Sequence, residues 1–157
     1  MKYARLTKEQ FEELHKEFIN FLATQSITAD EWAKLKAEKP EVAEQELDVF
    51  SDLIWEGVLN KVKYLEHISP NQLMLFHVTD AFMELIAVKI DDKSIDITTQ
   101  YGYKWLQQNL HDDKVSLYTS SKAITEDRNK DLFILIQQGA VITKGELYTY
   151  FANLLGE

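Results

Sequence analysis

Hydroxyls, cations and an amide crowd the stretch Thr119–Asp131, TSSKAITEDRNKD. Thr119, Ser120 and Ser121 supply hydroxyls, Lys122 and Arg128 supply positive charge, and Asn129 adds an amide. Such a set can hold a carboxylate or phosphate, so Ser120, Ser121, Lys122 and Arg128 are candidate residues for binding a small anionic ligand. The stretch follows the carboxyl end of a predicted strand, where sites in α/β sheets gather. Glu126 and Asp127 oppose the idea. Carboxylates in the first turn of the following helix already complement its dipole. The plainer reading is an exposed polar loop with local salt bridges.

Metal chemistry finds less support. The histidines, His15, His67, His77 and His111, show no His-x-x-x-His spacing and no Glu-x-x-His pair. His67 and His77 flank a turn at Pro70 but do not fall opposite each other in a hairpin centred near Asn71, and they read as structural residues. Glu41, Glu44, Asp48 and Asp52 recur at helical spacing and could gather a divalent ion. Opposite an apolar stripe, such carboxylates read instead as a solvated face. Ser116, Ser120 and Ser121 lie outside any Gly-x-Ser-x-Gly elbow. The five glycines form neither a phosphate loop nor a dinucleotide fingerprint. No metal, cofactor or catalytic set is expected.

One enzymatic alternative rests on Asp80 followed by Ala87-Val88-Lys89. Helix, three-strand meander, helix and strand is the element order of the PD-(D/E)xK nuclease superfamily, which this segment resembles. The resemblance implies Mg²⁺ held by two carboxylates on adjacent strands, with a lysine aligning the attacking water. Asp80, Glu84 and Lys89 would carry those roles. Ala87 stands where the metal-binding acid belongs, and Asn71 follows Pro70 where an Asp is needed. The nuclease reading is therefore that of a degenerate version of the fold.

The elements that must position these groups are legible. Thr7 with Gln10 makes a capping box for a helix whose apolar face carries Phe11, Leu14, Phe18, Phe21 and Leu22. Thr28 with Glu31 opens a second, carrying Trp32 and Leu35. Pro40 starts a third that runs to about Lys61, with Leu47, Phe50, Ile54 and Val58 inward and Val49 and Leu53 widening the stripe. Val62–Ile68 and Gln72–Val78 are predicted strands around Ser69-Pro70-Asn71, a turn built on proline's fixed φ. Phe82–Ile90, FMELIAVKI, is apolar on both faces, as a central covered strand should be. Phe82, Leu85, Ile86 and Lys89 also fit a helical stripe. The β-branched residues at 86, 88 and 90 decide for strand. Ser94–Thr98 extends the sheet or crosses over. Thr98 or Thr99 caps a helix, Val115–Thr119 is a fourth strand, Thr125 caps the next helix, and Thr143 with Glu146 boxes the last. The order is ααα-βββ-α-β-αα, a single α+β domain with an antiparallel meander.

Composition bounds the partners. A chain of 157 residues with 45% hydrophobic and 27% charged side chains is long enough for a real core and has no run that could span a membrane. The amino terminus turns charged and helical at once, without a secretory apolar region. The chain lacks cysteine, which removes disulfides and thiolate chemistry. A cytoplasmic location is the expectation. At net charge −9, with only Arg5 and Arg128 offering guanidinium groups, tight nucleic-acid binding and anionic membranes are disfavoured.

The segments YARLTKEQFEELHKEF, EVAEQELDVFSDLIWEGVL with YLEHISP behind it, and ITKGELYTYF resemble a family of small uncharacterised bacterial proteins. The similarity covers nearly the whole chain and implies a shared single-domain fold without an activity. With no persuasive catalytic constellation, and with three Trp, seven Tyr and eight Phe, the expectation is a non-enzymatic module that binds another protein or forms a homo-oligomer.

Overall fold

A computed structural model describes residues 1–124 and 126–156. The chain divides into two compact units, Met1–Asn60 and Lys61–Glu157.

The first unit is helical. Thr7 accepts from the Gln10 N–H, and the Gln10 side chain accepts from the Thr7 N–H, so the predicted capping box opens α1 (Lys8–Glu13). The single helix expected here is two. Leu14 leaves helical geometry (φ −100°, ψ 22°), and α2 (His15–Thr24) starts immediately after it. Thr28 and Glu31 box α3 (Ala29–Glu38), and Pro40 begins α4 (Pro40–Asn60) as expected. Leu6, Phe18, Leu22 and Phe50 form the core, with Phe50 at 5.1 Å from Phe18, ring to ring.

The stripe assigned to α4 needs correcting. Phe50 is buried, but Val49, Leu53 and Val58 are exposed. The acidic side read as solvated is where the amino-terminal arm lies. Asp52 accepts from the Lys2 and Tyr3 N–H groups at 2.7 and 2.9 Å, Asp48 from Arg5 Nε at 2.8 Å, and Ser51 Oγ from the Leu6 N–H at 3.1 Å. Glu44 pairs with Arg5, and Glu56 accepts from the Tyr3 hydroxyl. Burial, then the nearby Glu56 carboxylate, raises the Tyr3 pKa. The arm thus engages Glu44, Asp48, Asp52 and Glu56 and covers Ser51, and the buried arc of α4 turns away from Val49 and Leu53.

The second unit is a five-stranded antiparallel sheet with helices on both faces. β1 (Tyr64–Ser69), β2 (Gln72–Val78) and β3 (Phe82–Ile90) form the predicted meander. β4 (Val115–Ala123) pairs with β3, and β5 (Val141–Thr143) with β1, giving the order β4-β3-β2-β1-β5. Neither a strand nor a crossover forms at 94–98. That segment turns on itself, and Asn71 Nδ2 donates to the Asp92 and Ile95 carbonyls at 3.0 and 2.6 Å, fixing it to the β1–β2 turn. Ile95 and Ile97 thereby enter the core with Leu73, Ile86 and Val88, beneath α5 (Gln100–Gln108) and α7 (Glu146–Leu154). Thr99 caps α5.

α6 (Arg128–Gln137) lies along the other face. Arg128 at its start donates to the Val62 and Thr79 carbonyls, and Gly139 beyond its end sits against the His67 ring. Thr125, expected to cap α6, lies outside the described residues; Asp127 accepts from the Lys130 N–H. The box expected of Thr143 and Glu146 does not form. Thr143 is held in β5 opposite Tyr64, and Gly145 is the residue before α7. Its φ of +86° and its closeness to the Tyr64 ring leave no room for a side chain.

Candidate functional site

β3 sets the frame for every candidate group. Phe82, Glu84, Ile86, Val88 and Ile90 point to the α5/α7 face, and Met83, Leu85, Ala87 and Lys89 to the other. Glu84 and Lys89 therefore stand on opposite faces, about 17 Å apart along the strand. Glu84 accepts a 3.1 Å hydrogen bond from the Tyr148 hydroxyl and lies 3.5 Å from His77 Nδ1. Lys89 lies over the Tyr118 ring, 5.7 Å from its centre. Asp80 is exposed in the β2–β3 turn. The three groups of the nuclease comparison are not brought together. Among the described residues, no three His, Asp or Glu side chains gather as metal ligands.

The anion-binding set is also dispersed. β4 continues to Ala123, past its predicted end at Thr119, because backbone pairing with β3 needs no apolar side chain. Thr119–Ala123 of the expected loop are thus strand, and alternation splits these residues between faces. Ser121 shares the face of Glu84, while Ser120 and Lys122 share that of Leu85 and Met83. Arg128 is engaged by the Thr79 and Val62 carbonyls and by Asn129 Oδ1, the last at 2.9 Å. It fastens α6 to the sheet.

Where β2, β3 and β4 run side by side, Ser121, Glu84 and His77 stand in register across three strands. His77 stacks on Tyr64, with ring centres 4.8 Å apart, and packs against Tyr148. Glu84, Ser121, Thr119 and Tyr148 border a concavity of about 520 Å³. The carboxylate occupies the middle position. A hydroxyl nucleophile needs the imidazole there to take its proton, so Ser121 is not activated by His77. The set binds α7 to the sheet through Glu84 and Tyr148.

The most distinctive feature is the free edge. The Asp91 N–H donates to the Lys114 carbonyl and the Ile124 N–H to the Ala81 carbonyl, both at 2.8 Å. Bonded pairs recur at every second residue of an antiparallel ladder. Between those two ends, Ser116, Tyr118, Ser120 and Lys122 therefore bond to β3. Leu117, Thr119, Ser121 and Ala123 turn their N–H and C=O groups to the open side, whereas the Val115 N–H is already taken by the Asp112 carbonyl at 3.0 Å. β4 is exposed from Leu117 to Ala123. It carries no proline and no acid, its register with β3 is unbroken, and Lys122 is its only charge. Proline, bulges and charged side chains are the devices that usually blunt an edge, and of these β4 has the single lysine. The opposite edge, β5, is blunted by its three-residue length. The one sequence signal of the β4 edge is a nine-residue segment, VSLYTSSKA, that is nearly uncharged within a strongly acidic chain.

Fold and edge together define an α+β protein in which a helical unit precedes an open-edged antiparallel sheet. The chain belongs to the family of unknown function DUF6495, whose model matches residues 1–156. Neither the curated proteins nor the solved structures contain a match. Among the described residues no helix is long and apolar enough to cross a membrane.

Proposed function

We propose that the protein is a non-enzymatic, self-associating module of the bacterial cytoplasm, pairing with a second copy of itself through the open edge of β4. The observation that carries this reading is the outward ladder of Leu117, Thr119, Ser121 and Ala123. A strand edge offering unsatisfied donors and acceptors is completed by another strand.

The edge is complementary to itself. A two-fold axis at Thr119 sets Thr119 against Thr119 of the second copy, Leu117 against Ser121, and Val115 against Ala123. Free outward groups then meet from Leu117 to Ser121, and at the ends the Ala123 N–H meets the Val115 carbonyl, the Val115 N–H staying with Asp112. On the other face Tyr118 meets Ser120, and Ser116 meets Lys122, so no like charges oppose each other. Phe82, Leu117 and Tyr118, at 50%, 38% and 53% exposure, flank the junction with apolar surface. Two copies of a chain at net charge −9 repel each other almost everywhere else. The result is a continuous ten-stranded sheet, closed by symmetry. The lack of cysteine and the acidic surface suit a reducing, crowded cytoplasm.

Sedimentation velocity of the wild type and of Thr119→Pro tests the reading. The Thr119 N–H serves only the open side, so proline there removes the docking donor without touching the β3 ladder. A dimeric wild type and a monomeric variant with unchanged circular dichroism are expected. A wild type that stays monomeric at high micromolar concentration, or a variant that dimerises equally well, overturns it.

A further inference from the structure

We infer that the helical unit binds a single-chain anionic amphiphile, a free fatty acid, in a groove over its core. The groove encloses about 690 Å³, within the usual size range of small-molecule sites. Its wall includes Phe18, Leu22, Trp32 and Ile19, the last 48% exposed. Trp32 meets Phe18 edge to face at 5.2 Å and is only half-buried, leaving aromatic surface open to the groove.

The charge at its rim separates a fatty acid from other apolar occupants. Residues 1–60 carry thirteen acidic and seven basic side chains. Only one of those acids, Glu12, borders the groove, against three of the bases, Arg5, Lys8 and Lys36. Arg5 is neutralised by Glu44 and Asp48. Along the lining itself, Lys8 and Lys36 then face a single acid, Glu12, in an otherwise acidic unit. Lys36 Nζ sits 5.9 Å from the Trp32 ring centre, so its charge stands beside the apolar wall. A carboxylate head held by these lysines and an alkyl tail laid over Trp32, Phe18 and Ile19 match that layout.

The test uses the full chain and saturated fatty acids from decanoate to tetradecanoate, each below its micelle concentration, titrated by calorimetry. Affinity is expected to rise about three- to fourfold per added methylene, as burial of that group requires. Dodecanol and dodecyltrimethylammonium are expected to bind at least about tenfold more weakly than dodecanoate, because they lack the charge that Lys8 and Lys36 attract. Ile19→Asp, an exposed position that does not disturb the core, should abolish binding. Lys8→Gln with Lys36→Gln should erase the preference for dodecanoate over dodecanol. Absence of dodecanoate binding, a flat chain-length series, equal binding of the neutral or cationic probe, or full binding by Ile19→Asp overturns the inference. None of these readouts depends on the oligomeric state, so they fail or succeed apart from the β4 edge.

Discussion

Thr119 on β4 stands opposite Ile86 on β3, yet its backbone N–H and C=O point away from Ile86 to the open side of the sheet. Its neighbours Tyr118 and Ser120 do the reverse. The same strand therefore both completes the five-stranded sheet and leaves about half of its hydrogen-bonding capacity for another chain. A proline scan separates the two roles. Proline at 117, 119 or 121 should leave the stability of the monomer nearly unchanged and remove only what dimerisation adds, while proline at 118 or 120 should cost the monomer about 3 kcal/mol or more by breaking ladder bonds. Chemical denaturation of each variant measures the difference.

Association should strengthen with salt. The two copies carry the same net charge of −9, and β4 contributes one positive charge to each. Screening lowers the long-range repulsion and leaves the backbone bonds intact. Sedimentation equilibrium between about 20 and 500 mM NaCl should show a dimer several-fold tighter at the higher salt. Weakening with salt would point to ion pairs at the junction instead.

The amino-terminal arm should respond to Asp52. Its carboxylate accepts two backbone N–H groups, so Asp52→Ala leaves both without that partner, at a cost of about 1–3 kcal/mol. Hydrogen exchange should then accelerate at Lys2, Tyr3 and Leu6, and leave the β2–β3 ladder protected. Unchanged exchange in the arm would mean that Arg5 and Tyr3 alone hold it.

Two glycines should behave in opposite ways. A Cβ at Gly102 would lie 1.8 Å from the Asp96 carbonyl oxygen, so Gly102→Ala must displace backbone and should cost roughly 3 kcal/mol or more. Gly57, on α4, has nothing near its missing Cβ, and Gly57→Ala should stabilise by about 0.5–1 kcal/mol. Thermal melts of the two variants should move in opposite directions.

Stability should bend with pH in two places of opposite sign. The Ser94 hydroxyl and N–H, then Lys114, lower the Asp92 carboxyl from 3.8 to about 2. A depressed acid stabilises the fold above its unfolded pKa and loses that contribution as pH falls toward about 2. Asp92→Asn should therefore flatten the acid limb of the stability curve. Burial, then Glu146, raises the Glu66 carboxyl, so its ionised form disfavours folding at neutral pH. Glu66→Gln should raise Tm at pH 7, with the gain shrinking as the solution is acidified. Parallel pH titrations of both variants check the signs.

Much of the fold was legible because local rules and tertiary structure agree. β2 and β3 follow from alternation and β-branching, and α1, α3 and α4 from Thr7, Thr28 and Pro40. Failures came where a long-range partner decided. Thr143 looks like a helix cap, but pairing with Tyr64 holds it in a strand. Asp48 and Asp52 look solvated, but the arm bonds to them. Ser120, Ser121 and Lys122 look like a polar loop, but pairing with β3 extends the strand through them and divides them between two faces. Their dispersal was implicit in the period of two once β4 was drawn to Ala123. That β4 lies at an edge was not, because strand order is set by contacts across the chain.

A cysteine-free protein allows the junction to be read one position at a time. In the two-fold arrangement, Thr119 lies about 5.5 Å, Cα to Cα, from its counterpart, within the span of a disulfide. Leu117 lies about 14 Å from its own counterpart. Under mild oxidation, Thr119→Cys should form a covalent dimer rapidly and Leu117→Cys should not. Failure of Thr119→Cys to cross-link, or equal cross-linking at both positions, would contradict pairing of β4 edges about Thr119.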